Sequence, residues 1–219
     1  MRDPQTVPHR VHIIGAGGAG MSGLAKILSQ LGHDVSGSDV KPGAMLDSLR
    51  DVGVATWIGH HPDRIGDVEL VVASSAVPAS DQELRAALEA KIPVWRRPQL
   101  LSALTGANPA LGLAGTHGKT TSSALAVAAL RGDGSDPSFL VGGRMVGLNT
   151  GAHVGKGDDF ILEADEAFGT FRHLDLASIL VTNIEADHLD HYVTLAALED
   201  AFSQVVDRVR GPRVGCIDD

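Results

Sequence analysis

Glycine-rich turns occur twice in this chain, and each one lies between an apolar strand-like run and a helical pattern. The first is Gly15–Gly20 (Gly-Ala-Gly-Gly-Ala-Gly) and the second is Gly115–Thr121 (Gly-Thr-His-Gly-Lys-Thr-Thr). A turn of this kind directs its backbone N–H groups, and the positive end of the helix that follows, toward an anion. Strand–helix alternation through the rest of the sequence predicts parallel sheets covered by helices. We therefore expect an α/β fold with two separate sites for anionic ligands.

The second turn has the residue types of a triphosphate site. Lys119 adds a full positive charge, and the hydroxyl of Thr120 is a ligand that Mg²⁺ accepts. The general phosphate-loop pattern Gly-x-x-x-x-Gly-Lys-Thr is broken at its first position, where Leu113 stands in place of glycine. The alternative interpretation is a glycine-rich turn that happens to carry a surface lysine. We favour a nucleotide site, because a heptapeptide this specific seldom arises by chance.

The first turn contains Gly-x-Gly-x-x-Gly, which by itself is a weak signal in a chain with 26 glycines. Asp39 ends the next predicted strand, where nucleotide-binding folds place a carboxylate against a ribose hydroxyl. One alternative is a turn whose glycines only allow the strand and the helix to pack closely. Another is a nicotinamide dinucleotide site and thus an oxidoreductase. A second nucleotide site in the same chain makes group transfer or ligation a better fit than hydride transfer.

Composition narrows the class of protein. The chain has 219 residues, is 43% hydrophobic and carries a net charge of −9. That charge disfavours a nucleic-acid partner. Cys216 is the single cysteine, which excludes an intramolecular disulfide and fits a reducing compartment. No apolar run approaches the ~20 residues of a membrane span. We expect a cytoplasmic protein without a membrane partner, and the sequence does not indicate an oligomeric state.

The predicted organisation is a Rossmann-like domain at 1–105 and a phosphate-loop-type α/β domain at 106–219. Ser102–Pro109, with Thr, Gly, Asn and Pro close together, is interpreted as the boundary. The chain ends just after a strand-like run, so we expect the second domain to be incomplete and the chain to be a fragment or a truncated product. Predicted strands are Val11–Ile14, Asp34–Ser38, Val54–Ile58, Glu69–Ala73, Ile92–Trp95, Ala110–Ala114, Phe139–Val141, Phe160–Leu162, Ile179–Thr182 and Val214–Ile217. Predicted helices are Gly20–Leu31, Ala44–Val52, Ser80–Ala90 with Ser80 as its cap, Ser122–Leu130 and Leu195–Arg210.

Two polar clusters follow predicted strands of the second domain. Glu163–Glu166 (Glu-Ala-Asp-Glu) comes after the strand at 160–162, on the sheet edge where a neighbouring glycine turn ends. Glu163 and Thr120 are therefore a plausible magnesium pair, and a solvated acidic loop is the alternative. Asn183–His191 carries histidines and aspartates at a spacing that could suggest zinc. The carboxylates of this segment are harder ligands than those zinc prefers, which disfavours a zinc site. His188 is the strongest candidate functional residue of the segment.

Taken together and in this order, the motifs are similar to those of the Mur ligases. They are Gly15–Met21, Ser36–Asp39, Ser74–Ala76, Arg96–Pro98, Gly115–Thr121, Glu163–Glu166 and Thr182–Asp190. The resemblance extends from about Val11 to Asp219. It implies an ATP- and Mg²⁺-dependent ligase of peptidoglycan synthesis that joins L-alanine to UDP-N-acetylmuramate through an acyl phosphate. A recycling ligase that attaches a tripeptide to the same sugar nucleotide, and a non-catalytic nucleotide-binding remnant, are alternatives.

The resemblance also implies roles for individual residues. ATP would be bound by Gly115, Thr116, His117, Gly118, Lys119, Thr120 and Thr121. The catalytic residues would be Lys119, Glu163 and His188, with Thr120, Glu163 and His188 at magnesium. The UDP part of the substrate would be bound by Gly15, Gly17, Gly18, Ala19, Gly20, Met21, Ser38, Asp39, His60, Ser74, Ser75 and Arg97.

The chain departs from the family at two points. Family members read Ser-Asp-x-Ser after the acidic run, whereas this chain has Ala-Phe-Gly-Thr at 167–170. The polar contacts of that Ser-Asp pair are therefore not expected here. Family members also have a third domain that closes over ATP and helps to bind the amino acid, and we expect this chain to lack it and to bind nucleotides without completing the ligation.

Overall fold

The computed structural model describes residues 6–186 and 192–216. The chain divides into two units. One takes in the residues up to Leu100 together with Ala152–Val154, and the other takes in Leu101–Gly151 and the residues from Gly155 onward. Each unit is built around its own largely parallel sheet. The predicted α/β class is confirmed.

The first unit has a five-stranded parallel sheet in the order β3-β2-β1-β4-β5. Strands β2 and β4 lie on opposite sides of β1, so the order of strands in the sheet reverses at β1. A crevice forms there, beyond the carboxyl end of β1. Ile14, Val71 and Leu84 belong to the apolar core beneath it. The elements are β1 (Arg10–Ile14), α1 (Ala19–Gln30), β2 (Asp34–Asp39), α2 (Ala44–Arg50), β3 (Ala55–Ile58), a 3-10 turn (Pro62–Arg64), β4 (Leu70–Ala73), α3 (Gln82–Glu89) and β5 (Val94–Arg96).

Helix α4 (Arg97–Ala107) follows β5, and the second sheet has the order β11-β10-β6-β9-β7-β8. Strand β6 lies between β10 and β9 and is parallel to both, so the carboxyl ends of these three strands meet at one edge. Leu113, Phe139 and Ile161 pack in the core of this unit. The elements are β6 (Ala110–Ala114), α5 (Lys119–Gly132), β7 (Ser138–Leu140), β8 (Ala152–His153), β9 (Phe160–Glu163), a 3-10 segment (Ala167–His173), β10 (Ser178–Val181), α6 (Leu195–Arg208) and β11 (Arg213–Gly215).

One local prediction is wrong. Asp81, not Ser80, caps α3, because its carboxylate accepts a hydrogen bond of 3.0 Å from the backbone N–H of Leu84. The segment 102–109, for which the sequence predicted no helix, is helical up to Ala107. Leu100, Leu101 and Leu104 are buried at helical spacing, and this apolar face outweighs the weak helix propensity of the neighbouring Thr and Gly.

At the ends of the predicted elements the bounds differ by at most three residues, and the largest difference is at the start of α5. The segments Ala152–His153 and Ala167–His173 form regular structure that the sequence did not predict. The predicted boundary at residue 105 falls inside α4 and stays a prediction. None of the helices within 6–186 and 192–216 has the length and apolar character needed to cross a bilayer.

Candidate functional site

A cavity of about 370 Å³ opens in the first unit at the carboxyl end of β1. Its lining comes from the glycine turn after β1, the end of β2, the turns after β3 and β4, and the start of α3. Among the residues predicted for the sugar-nucleotide site, six line this cavity: Gly15, Gly18, Ser38, Asp39, His60 and Ser74. Residues far apart in sequence are thus brought together at the edge of the sheet where a ligand was expected.

Asp39 holds the glycine turn in place. Its Oδ2 accepts a hydrogen bond of 2.9 Å from the backbone N–H of Gly17, and its Oδ1 accepts one of 3.2 Å from that of Lys41. A Cβ at residue 17 would lie 2.8 Å from the same Oδ2, so only glycine allows this close approach. Asp39 therefore shapes the turn as well as lining the cavity.

The other predicted residues of this site lie around the cavity but do not line it: Gly17, Ala19, Gly20, Met21, Ser75 and Arg97. Met21 is buried in the core and Ser75 is exposed. The guanidinium of Arg97 is beside the first turn of α1, with Nε 3.1 Å from the position of a Cβ on Gly20. Within the described part of the chain, this buried Nε has no hydrogen-bond acceptor. An unsatisfied guanidinium next to a helix N-terminus suits an anionic ligand.

A buried polar network that was not predicted from the sequence lies beneath the cavity. The carboxylate of Glu83 accepts hydrogen bonds from the hydroxyl of Ser38, from Nε1 of Trp57 at 2.7 Å and from the backbone N–H of His61 at 2.9 Å. His12 is fully buried, with Nε2 3.5 Å from the same carboxylate and its ring stacked on Trp57 at 4.9 Å. The one available signal was a histidine inside the otherwise apolar strand Val11–Ile14.

The network determines the ionisation of Glu83. Burial raises the pKa of this carboxyl, but the hydrogen bonds from His12, Ser38, Trp57 and the backbone of His61 outweigh it and lower the pKa to about 2. His60, Asp81 and Glu83 are close enough to hold a metal ion. Both oxygens of Glu83 already accept hydrogen bonds, however, and Asp81 caps α3. Their geometry is that of a hydrogen-bonded network.

In the second unit, the loop Gly115–Gly118 connects β6 to α5 and is hydrogen-bonded to the segment after β10. The backbone N–H of Thr116 donates to the carbonyl of Asn183 at 3.0 Å, and that of His117 donates to the side-chain oxygen of Asn183 at 2.8 Å. The hydroxyl of Thr182 donates to the carbonyl of His117 at 2.6 Å. Because β10 and β6 are neighbours, the Thr182–Glu185 segment fixes the shape of the loop from one side.

Lys119 begins α5 and already has close partners. Its Nζ lies 2.9 Å from both carboxylate oxygens of Glu166 and donates to the carbonyl of Gly115 at 2.7 Å. The side chain of Glu166 is almost fully buried, and the hydroxyl of Tyr192 donates to its backbone carbonyl at 2.6 Å. Burial raises the pKa of Tyr192. Glu166 was expected only as a member of an acidic cluster, and its pairing with Lys119 was not predicted from the sequence.

Thr120 and Glu163 approach each other from α5 and β9. A point at the Cβ position of Gly142 lies 2.9 Å from Oε2 of Glu163 and 3.3 Å from Oγ1 of Thr120. The other oxygen of Glu163 accepts a hydrogen bond of 2.7 Å from the N–H of Gly142. A hydroxyl and a carboxylate are hard oxygen ligands that fit Mg²⁺. Thr121 is exposed on the first turn of α5. His188 lies outside the described residues.

Comparison with known proteins identifies the family. Residues 10–108 match the model of the Mur ligase family, catalytic domain. UDP-N-acetylmuramate–L-alanine ligase of Kineococcus radiotolerans is 44% identical over 215 residues, which cover 96% of this chain and 46% of that protein. The chain is a Mur ligase homologue. The same ligase of Rhizobium johnstonii is 42% identical over 220 residues, with 100% and 46% covered. This Mur ligase homologue thus spans about half the length of these relatives.

Solved structures agree with this homology. A UDP-N-acetylmuramate-alanine ligase from Thermotoga maritima has a TM-score of 0.86 and 26% identity, with 96% of this chain and 49% of that chain covered. The UDP-N-acetylmuramate:L-alanyl-gamma-D-glutamyl-meso-diaminopimelate ligase from Neisseria meningitides has a TM-score of 0.85 and 28% identity, with 97% and 72% covered. The two matches are equally good, so the fold does not separate the two kinds of Mur ligase.

Proposed function

We propose that this chain carries the sugar-nucleotide site and the ATP phosphate loop of a UDP-N-acetylmuramate–L-alanine ligase of peptidoglycan synthesis. The proposal rests on one observation: a chain 44% identical to such a ligase over 215 residues places a glycine-rich turn at the carboxyl edge of each of its two sheets. The predicted polar side chains lie around each turn.

The location we propose is the cytoplasm, because the lone cysteine requires no oxidising compartment.

The first site is proposed for UDP-N-acetylmuramate. Its cavity of about 370 Å³ is within the usual range for small-molecule sites. The N-terminal end of α1 and the guanidinium of Arg97 supply positive potential for the diphosphate. Asp39, His60 and Ser74 line the cavity and provide polar groups for the uridine, and Ser75 lies next to them.

The second site is proposed for ATP. The N–H groups of Thr116 and His117 already donate to Asn183, so those of Gly118 and of the first turn of α5 face the phosphates. Lys119 binds the β- and γ-phosphoryl oxygens. Thr120 and Glu163 are the proposed ligands of Mg²⁺, which would neutralise charge on the phosphates when it is bound. His188 stays a predicted ligand of a second magnesium or of its waters.

In the proposed reaction, the lactyl carboxylate of the sugar nucleotide attacks the γ-phosphorus, and ADP leaves with the electron pair of the broken bond. The amine of L-alanine then attacks the carbonyl carbon of the acyl phosphate, loses a proton, and expels phosphate as the amide forms. Negative charge develops on the phosphoryl oxygens in the first step, and Lys119 stabilises it. Lys119 must then share its donors between the phosphate and Glu166.

The tripeptide ligase is the second candidate, because its Neisseria structure matches this chain with a TM-score of 0.85. Identities of 44% and 42% to L-alanine ligases favour the first candidate. In a full-length protein that contains this chain, release of ADP that depends on L-alanine, rather than on L-alanyl-γ-D-glutamyl-meso-diaminopimelate, would support L-alanine as the substrate. The reverse preference would assign the tripeptide activity.

Isothermal titration tests the two sites directly. We expect the chain to bind UDP-N-acetylmuramate, and to bind ATP in the presence of Mg²⁺. Lys119→Ala should weaken ATP binding at least ~10-fold, since it removes charge-assisted hydrogen bonds worth roughly 1.5–3 kcal/mol each, and should leave the sugar nucleotide unaffected. Heat on addition of NAD but not of the sugar nucleotide would instead indicate an oxidoreductase. Absence of heat with both proposed ligands would overturn the proposal.

A further inference from the structure

We propose that Glu83 is a positioning residue for the sugar-nucleotide site. It fixes the relative positions of two segments that border the cavity. These are the end of β2 at Ser38 and the His60–His61 turn that follows β3. The inference rests on the proposed function of this cavity and adds a residue to it. No contact of Glu83 with the ligand is required, because it acts through residues that line the cavity.

The contacts of Glu83 join elements that are separate in sequence. One carboxylate oxygen accepts the hydrogen bond from the Ser38 hydroxyl, and the other accepts those from the Trp57 indole and the His61 backbone. Ser38 is next to Asp39, and His61 is next to His60. Two of these bonds therefore end on a cavity residue, Ser38, or on the neighbour of one, His61.

Asp81 provides a second contact between the start of α3 and the His60–His61 turn. One of its oxygens caps α3, and the other lies 3.1 Å from Nδ1 of His60. The first turn of α3 thus carries two carboxylates directed at consecutive residues of one turn, Asp81 at the His60 side chain and Glu83 at the His61 backbone. The imidazole of His60, which is partly exposed and lines the cavity, is oriented from its protein side.

The side of the network away from the cavity is rigid. His12 stacks on Trp57 with an angle of 6° between the rings, and its Nδ1 lies 2.9 Å from the Ser36 hydroxyl. Both His12 and Glu83 are fully buried. A buried carboxylate costs free energy that an apolar side chain of similar volume does not. An apolar residue would fill the space but could not orient Ser38 and the His60–His61 turn.

Binding of UDP, measured by isothermal titration, tests this role. Glu83→Ala removes every acceptor, and we expect its affinity for UDP to fall ~10-fold, within the range for lost hydrogen bonds to a charged group. Glu83→Gln keeps one oxygen for Trp57 and His61, so it should lose less, about threefold. Glu89→Ala is the matched control, because Glu89 is exposed at the far end of the same helix, and it should bind UDP like the unsubstituted chain.

A double-mutant cycle separates positioning from a general loss of stability. Glu83→Gln keeps the acceptor for His61 and loses the one for Ser38, so its effect on UDP affinity should shrink below twofold in a Ser38→Ala background. This cycle also serves if Glu83→Ala does not fold. Folded Glu83 variants that bind UDP as tightly as the unsubstituted chain would overturn the positioning role alone. Failure of the unsubstituted chain to bind UDP would overturn the proposed function as well.

Discussion

The position of the Lys119 side chain, at the end of the loop after β6, depends on its ion pair with Glu166. In this structure the ammonium group is paired with Glu166, a residue whose side chain is almost fully buried. A charge in such a place is tolerated only when it is paired and hydrogen-bonded. Glu166 therefore keeps the lysine against the loop, at a position next to the carbonyl of Gly115.

The Lys119–Glu166 pair should be energetically coupled. Glu166→Gln leaves the ammonium only the more distant carboxylate of Asp165, at 4.0 Å, and Lys119→Met removes the cation beside the buried carboxylate of Glu166. Each should lower the free energy of unfolding by about 1–3 kcal/mol. The double variant should lose clearly less than the sum of the two. Urea unfolding of the four proteins measures this, and additive losses would show that the pair is not coupled.

Glu83 predicts a dependence of stability on pH. Its pKa is lowered from 4.5 to about 2 in the folded chain, so its stabilising contribution is complete above the unfolded pKa and is lost as the pH falls from 4.5 toward 2. The contribution is up to about 3 kcal/mol. In urea unfolding at pH 5, 4 and 3, Glu83→Gln should show a shallower loss of stability than the unsubstituted chain. Glu89→Gln, at an exposed position, should keep the original slope.

At the scale of elements, both candidate sites follow from where parallel strands end. The glycine turn after β1 and the loop after β6 each emerge from a strand with neighbours on both sides. In the second unit, Thr182–Glu185 follows β10 and Glu163 ends β9, so the loop is flanked by polar groups from both neighbours. Strand order thus explains why side chains from distant segments converge on one loop.

The loop after β6 should not tolerate a side chain at residue 115. Gly115 has φ of +126°, and a Cβ there would overlap with the hydroxyl of Thr182 and lie 2.9 Å from the carbonyl of Asn183. Gly115→Ala should displace the loop, weaken ATP binding at least ~10-fold and cost about 1–3 kcal/mol of stability. Gly132→Ala is the control, because it has open space and lies in a helix, where alanine is favoured by up to about 1 kcal/mol. Equal ATP affinities in the two variants would contradict the prediction.

At the scale of the whole molecule, the two sites belong to different units with separate cores. A ligand that binds only the folded state raises stability by mass action. UDP-N-acetylmuramate and ATP with Mg²⁺ should therefore each raise the melting temperature of the unsubstituted chain. Lys119→Ala should reduce the shift with ATP and keep the shift with the sugar nucleotide, as measured by differential scanning calorimetry. Loss of both shifts would indicate that the substitution damages more than the phosphate loop.

The fold and the residues that line the cavity were predictable to different degrees. Gly15, Gly18 and Asp39 were found because a glycine turn has a local signature and the next strand end lies at a regular distance. The pairing of Thr120 with Glu163 was inferred from the rule that parallel strands end at a common edge. Asp81, Glu83 and Trp57 were missed, since their importance comes from partners on other elements. The helix at Arg97–Ala107 was missed because its Thr and Gly residues have weak helix propensity, which outweighed the apolar spacing in the interpretation of the sequence.

The amino-acid sequence by itself determined the α/β class, the family and the position of both glycine-rich turns, since these depend on local residue patterns and short-range spacing. Tertiary structure alone decided which side chains meet: Glu83 with Ser38 and the His60–His61 turn, and Lys119 with Glu166. The physical reason is that a buried charge is stabilised by whatever donors the packing brings to it. Those donors come from strands and helices whose neighbours are set by the order of the sheet.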